Sequence, residues 1–246
     1  MGTTAKPAVF VFTTAYHPFI GGAEIAVQET ARRLAGEFRF VIITARLSPD
    51  LPAVEDRPEG RIIRIGIGAS VDKFLLPVWG TFKTFFLLRR YRPAVFWAVM
   101  VSYASGIPYL INFFRPGNHV PILFTLQEGD SETHIRRGRL GRIGISWKVA
   151  LRRTDWLHAI SQYLRDFARG YGYAGRADVI PNGVDIAQFS RPLTPLEADR
   201  LRKSIGLNPE DIVAITVSRL APKNAIDIIL RALFLLRDTD LGPRLK

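Results

Sequence analysis

Two short segments of this sequence hold residue types whose spacing suits anion chemistry. In Val217-Ser-Arg-Leu-Ala-Pro-Lys-Asn224, Arg219 and Lys223 stand four residues apart between an apolar run and a helical pattern. Two cations beside the positive end of a helix suit a diphosphate, because each supplies a charge-assisted hydrogen bond where the helix amides already add positive charge. The same spacing also describes a solvated pair of surface charges. In Tyr16-His-Pro-Phe-Ile-Gly-Gly-Ala-Glu24, Gly21 and Gly22 join a first apolar run to a first helix. Paired glycines let the backbone approach a ligand while free amides face an anion, which describes a phosphate cradle. A tight turn whose glycines serve only a positive φ reads equally well. The loop is neither a Walker loop nor a GxGxxG fingerprint, and Gly66-Ile-Gly68 fails that fingerprint because position 71 is Val.

The elements that must position these loops follow from the hydrophobic pattern. Apolar runs of about five to eight residues alternate with amphipathic stretches of about ten to sixteen, the pattern of a parallel sheet covered by helices on both faces. Strands are expected at 8–14, 38–45, 61–67, 94–101, 121–126, 156–160, 178–180 and 212–217. The clearest helix runs from Ala23 to Leu34, with Ala23, Val27, Ala31 and Leu34 along one face. After Pro181-Asn182-Gly183 the alternation pauses, and Arg191-Pro-Leu-Thr-Pro195 reads as a linker into a polar helix. The expected organisation is a Rossmann-like α/β domain over 1–190, followed at 191–246 by a linker and the first β-α unit of a second domain.

Composition bounds the partners. The chain has 246 residues, 48% hydrophobic, with no cysteine and a net charge of +12, and only seven of its 34 basic residues are Lys. Disulfides and thiolate metal sites are excluded, and a reducing compartment fits. The arginine excess points to an anionic partner: a phosphate-bearing small molecule, an anionic membrane face or nucleic acid. Nucleic acid is disfavoured, since no recognition motif accompanies the charge. The apolar run 8–14 resembles a signal peptide superficially but reads better as a buried first strand. Pro93–Phe114 has 22 residues without a charge, and its grammar is strand, turn and short helix rather than a membrane span. Arg136, Arg137, Arg139, Arg142, Lys148, Arg152 and Arg153 interleave with Leu140, Ile143, Ile145 and Trp147, while Arg89, Arg90 and Arg92 follow Phe82, Phe85 and Phe86. Docking on an anionic membrane surface and ordinary helix surface are both open for these stretches.

Four stretches in order, Pro18-Phe-Ile-Gly-Gly-Ala-Glu24, Ala159-Ile-Ser161, Ile180-Pro-Asn-Gly-Val-Asp185 with Phe189, and Ser218-Arg-Leu-Ala-Pro-Lys223 with Ala225-Ile-Asp227, resemble the glycosyltransferases of family 4 (group 1), which have the GT-B fold. The resemblance implies two facing Rossmann-like domains, the first for the acceptor and the second for a nucleotide-sugar donor, with retention of anomeric configuration. By position it implies that Gly21 and Gly22 approach the donor phosphates, that Arg219 and Lys223 grip the diphosphate and stabilise the departing nucleotide, that His17 and Glu24 lie on the acceptor side, and that Asn182, Gly183 and Asp185 lie between the domains. It implies no cofactor beyond the nucleotide-diphosphate sugar, no metal, a glycan or lipid-linked acceptor in cell-envelope or surface polysaccharide synthesis, and a cytoplasmic or peripheral inner-face location.

Two departures limit the likeness. Where many relatives carry His or His-Asp after the strand at 122–126, this chain has Gln127-Glu128. Gln127, Glu128 or Asp130 then either contacts acceptor hydroxyls or caps the loop end, and no catalytic residue is assigned. The second departure is the Gly-rich segment with two glutamates that holds the donor sugar, which has no counterpart before Lys246. The chain therefore reads as a fragment that is inactive by itself. The rival readings are a non-catalytic module for anionic glycan or membrane surfaces, and another GT-B enzyme such as a nucleotide-sugar epimerase.

Overall fold

The computed structural model describes residues 6–128 and 142–245, with the side chains of Arg142, Ile143 and Lys223 outside that description. The chain divides into two compact units, one ending at Gly183 and one starting at Val184, where the sequence pattern suggests a boundary near 190.

In the first unit β1 (Ala8–Phe12), β2 (Arg39–Ala45), β3 (Val54–Arg57), β4 (Gly60–Ile65), β5 (Pro93–Val99), β6 (Ile122–Leu126), β7 (Trp156–Ala159) and β8 (Arg176–Val179) form one sheet in the order β3-β4-β2-β1-β5-β6-β7-β8. Every pair is parallel except β3 with β4, which close a hairpin through Pro58-Glu59. The hairpin is an addition to the expected strands: β3 reads Val-Glu-Asp-Arg, a charged edge strand with no apolar run to reveal it.

The core explains the sheet. Along β1, Ala8, Phe10 and Phe12 enter one apolar cluster while Val9 and Val11 enter the other, the alternation that a sheet covered on both faces requires. On one side lie α2 (Asp72–Tyr91), α3 (Gly106–Phe114), α4 (Arg142–Arg152) and α5 (Gln162–Gly170), which contribute Leu76, Ile107, Trp147 and Leu164. On the other, α1 (Gly22–Leu34) contributes Ala23, Val27 and Ala31. Burying each large side chain is worth about 1.5–3 kcal/mol, so β1 and its neighbours form the most stable part of the unit. The uncharged stretch Pro93–Phe114 resolves into β5, a loop and α3. No helix among the described residues is long and apolar enough to cross a membrane.

The second unit carries α6 (Ile186–Phe189), α7 (Pro195–Ser204) and α8 (Ile226–Leu236). A capping box starts α7: Thr194 Oγ1 accepts from the Glu197 amide while the Glu197 carboxylate accepts from the Thr194 amide. The strand expected at 212–217 is not a ladder strand. Only Ile212 is bridged, its amide donating to the Arg244 carbonyl at 2.7 Å beside Leu245. A ladder needs a partner for every second backbone group, and none stands beside 213–217 among the described residues of this unit. None of its described residues is buried, and Ile228, Leu230, Phe234 and Leu235 are exposed.

Candidate functional site

The order of strands reverses between β1 and β5, and open α/β sheets bind ligands beyond the carboxyl ends of their strands at such a reversal. The loops after β1 and β5 meet there, since the Ala104 amide donates to Thr14 Oγ1 at 3.4 Å, and Thr44 on β2 donates to the Thr14 carbonyl at 3.1 Å. The first of these loops is the one that carries Gly21 and Gly22.

Gly21 is the N-cap of α1 with φ −141° and ψ 170°, an extended backbone open to any residue, and no side chain caps the helix. Gly22 has no positive φ either, and an added Cβ there would meet nothing within 4 Å. The turn reading of this pair therefore loses its reason, because neither glycine is needed for backbone geometry. What the pair provides is bare backbone at the first turn of a helix, where the leading amides lack intrahelical acceptors. Glu24 folds back over Gly21, where a Cβ would collide with its carboxylate.

The β3–β4 hairpin holds this loop from behind. Arg64, 4% exposed on β4, donates to the His17 carbonyl at 2.7 Å, to Glu55 Oε2 at 2.7 Å and to the Pro52 carbonyl at 3.1 Å. Tyr16, also buried, reaches Glu59 Oε1 at 3.4 Å, and Arg57 Nε holds the same carboxylate at 2.9 Å. Burial, with Glu59 second, raises the Tyr16 phenol above its ordinary value of 10. Burial would raise the Glu55 carboxyl, but hydrogen bonds from Arg64 and Arg57 outweigh it and hold the group below the usual carboxylate range. His17 is half-buried, and its Nδ1 has no hydrogen-bond partner among the described residues.

At the ends of β6 to β8 the expected residues hold loops to one another. The Glu128 carboxylate accepts from the Val101 amide in the loop after β5. Gln127 Oε1 accepts from Asn182 Nδ2 at 3.2 Å. Below them a hydrogen-bond row crosses β5, β6 and β7 to the residue that follows β8: Trp97 Nε1 donates to Thr125 Oγ1 at 2.8 Å, Thr125 meets His158 Nδ1 at 3.1 Å, and His158 Nε2 meets the Ile180 carbonyl at 2.8 Å. The turn that begins at Pro181 is therefore tied to the middle of the sheet. Asp130 lies outside the described residues.

In the second unit Asp185 caps α6, its Oδ1 accepting from the Gln188 amide at 3.2 Å. Gly183, the last residue of the first unit, has open space around it. Arg219 is exposed in the loop before Pro222–Asn224, where its carbonyl accepts from Asn224 Nδ2 at 2.7 Å; the side chain of Lys223 lies outside the described residues. The sequence also contains an Asp-x-Asp spacing, Asp238-Thr239-Asp240, which the metal-free expectation overlooks. Asp238 is paired with Arg237 at 3.0 Å, and no group of three metal-capable side chains occurs among the described residues.

Two basic stretches separate. Residues 136–141 of the first lie outside the described set, and Trp147, expected on its docking face, is core, 1% exposed against Phe167 and Tyr171. In the second, Phe82, Phe85 and Phe86 are exposed along α2 as far as Arg89 and Arg90. The residues that sequence reasoning missed are Arg64, Glu55 and Glu59. Their only signal was an Arg inside an otherwise apolar strand, Gly-Arg-Ile-Ile-Arg-Ile, since a buried charge needs partners.

Comparison with known proteins gives a consistent set of similarities. A family model described as Glycosyltransferase Family 4 matches residues 20–188. D-inositol 3-phosphate glycosyltransferases are similar in sequence: that of Rhodococcus erythropolis is 28% identical over 86% of this chain and 50% of its own length, and that of Actinosynnema mirum 30% identical over 91% and 56%. Sucrose-phosphate synthase from Thermosynechococcus elongatus has the same fold, with a TM-score of 0.72 at 16% identity over 98% of this chain and 70% of that one. The chain spans about half the length of the curated relatives it matches.

Proposed function

The chain belongs to glycosyltransferase family 4, and from that membership we propose that it supplies the acceptor-binding half, and the opening of the donor half, of a retaining glycosyltransferase. The donor is a nucleotide-diphosphate sugar and the acceptor a glycan or lipid-linked molecule, in synthesis of the cell envelope or surface polysaccharide. The observation that carries this reading is the Gly21–Gly22 pair: an extended N-cap and a first helical residue with open space around it, opening α1 at the point where the strand order reverses.

In this mechanism the amides at the start of α1 face the donor phosphates, while Arg219 and Lys223 neutralise the charge that builds on the departing nucleotide. His17, Glu24, Gln127, Glu128 and Asp130 are the acceptor-side candidates. Asn182, Gly183 and Asp185 lie at the passage between the two halves. The chain's similarity to D-inositol 3-phosphate glycosyltransferases supports a polar, phosphate-bearing acceptor. Attachment to an anionic membrane surface is supported by α2: Val78, Trp79, Phe82 and Phe86 are exposed, and the exposed charges of that helix, Lys83, Arg89 and Arg90 among them, are all positive.

The test is thermal unfolding of the intact protein with a panel of nucleotide diphosphates. A ligand that binds only the folded state at 100 times its Kd adds about 2.7 kcal/mol, so one nucleotide should raise the melting temperature well above the rest. No rise with any of them overturns the donor assignment. The 246-residue chain alone is expected to transfer no sugar, and turnover by it would overturn that part.

A further inference from the structure

The strands of the first unit also leave a cleft at their amino-terminal ends. It has a volume of about 680 Å³ and is lined by the opening residues of β2 and β4, the last residue of α2 and the segment before β1. Gly22 opens α1, and Ala35, which lines the cleft, closes it. The cleft is thus a helix length, about 20 Å, from the glycine pair.

Five cations line it, Lys6, Arg39, Arg57, Arg61 and Arg90, against two acids. The acids are already engaged: Asp56 holds Arg61 through two contacts of 2.7 Å, and Glu59 holds Arg57 at 2.9 Å. Lys6, Arg39 and Arg90 have no carboxylate partner among the described residues. Lys6 is fixed by donating to the Ala35 carbonyl at 2.8 Å. Arg39 and Arg90 both lie over the ring of the buried Tyr91, with guanidinium carbons 4.6 Å and 5.4 Å from its centroid. The Tyr91 hydroxyl is held in turn by Arg61 at 3.3 Å.

This arrangement is specific in a way that scattered surface arginines are not. Contact with one ring holds two guanidinium groups at the cleft, and neither has a carboxylate partner among the described residues. Like charges lining one cleft repel each other unless a counter-charge arrives. A group that presents several oxygens and about two negative charges satisfies both the guanidinium groups and the repulsion, as a phosphate does. We propose that this cleft is a second anion site, which binds a phosphate-bearing ligand through Lys6, Arg39 and Arg90. The proposal does not rest on the donor reading, because it uses none of the same residues.

The phosphate has two possible sources, a soluble phosphorylated molecule or a phospholipid headgroup. The second is within reach because Arg90 continues the i, i+4 ridge of Phe82 and Phe86, whose rings meet at 4.9 Å on the exposed side of α2. Calorimetric titration with pyrophosphate at fixed ionic strength tests the first source, and co-sedimentation with phosphatidylglycerol vesicles at the same salt tests the second. The proposal expects the pair Arg39→Ala with Arg90→Ala, made in an Arg219→Ala background so that the donor-side residues do not contribute, to weaken at least one of these at least tenfold, and Arg39→Lys with Arg90→Lys in that background to weaken it less. Melting curves of the variants check that each is folded, as expected for two exposed side chains. Equal binding by the Arg219→Ala protein with and without the alanine pair in both arms overturns the proposal. Loss already with Arg219→Ala alone overturns it too, by placing the anion at the other site.

Discussion

The guanidinium of Arg64, inside β4, donates to the main-chain carbonyl of His17 at 2.7 Å. A side chain buried in one strand thereby fixes the backbone of a loop that follows another, four residues before the glycine pair. The positioning of that loop is a property of the β3–β4 hairpin as much as of the loop itself.

Replacing Arg64 tests this first. Arg64→Met leaves the His17 and Pro52 carbonyls without a donor and Glu55 with one cation fewer. Losing these hydrogen bonds around a buried guanidinium costs about 1–3 kcal/mol, since Glu55 is partly exposed and keeps Arg57. Arg64→Lys should recover only a fraction, since an ammonium cannot span three acceptors held in different directions. Urea midpoints of the three proteins check this, and equal midpoints would show that the loop does not depend on the hairpin.

Alkaline pH should loosen the same loop. The folded-state pKa of Tyr16 is raised above 10, so the folded state holds the phenolic proton more tightly than the unfolded chain. Stability from this source is complete below pH 10 and is lost as pH rises above it. Tyr16→Phe removes that loss, and its melting temperature should fall less than that of wild type between pH 9 and about 11.

Acid should act through Glu55. Its pKa is depressed, so the stability it contributes is present above the unfolded carboxylate value and disappears as pH falls through the folded one. Glu55→Gln should flatten the acid side of the stability curve below about pH 4.5. The effect is on the order of 1 kcal/mol, because the side chain is partly exposed and solvent screens it. An unchanged acid limb would refute the coupling.

Gly22→Ala separates fold from function. With open space around the position and no positive φ, the fold should tolerate alanine, or gain up to about 1 kcal/mol from its better helix propensity. A ligand that must touch bare backbone there should bind at least tenfold more weakly. Nucleotide-sugar turnover of the intact protein beside its melting temperature gives both readings. Unchanged turnover would remove the cradle.

Arg219→Ala with Lys223→Ala should weaken nucleotide diphosphate binding by about 1.5–3 kcal/mol for each charged hydrogen bond removed. Isothermal titration measures it, and equal affinity would return both residues to ordinary surface.

Much of the first unit was legible because its strands are buried on both faces. Continuous runs such as Phe-Val-Ile-Ile-Thr in β2 admit few other readings. The hairpin was not, since β3 is short, charged and at an edge. Its value lies in long-range pairs, Tyr16 with Glu59 and Arg64 with His17, that no local spacing reveals. The expected strand at 212–217 failed for the opposite reason. Its apolar content satisfied the pattern, but a strand is a relation between two chains, and among the described residues of that unit only Leu245 stands opposite. The glycine pair was visible while its purpose was open, because the choice between turn and cradle depends on φ, which residue type alone does not report.

The row from Trp97 to Ile180 has a built-in sense. An indole can only give a proton to a hydrogen bond and a carbonyl can only take one, so the two ends fix the direction between them. Thr125 must receive from Trp97 and give to His158, and neutral His158 must carry its hydrogen on Nε2. Any shift of the turn at 181–183 that pulls the Ile180 carbonyl away therefore disturbs the indole three strands distant. The protein thus contains its own optical probe: the near-ultraviolet signal of Trp97 should report the movement of that turn without an added label.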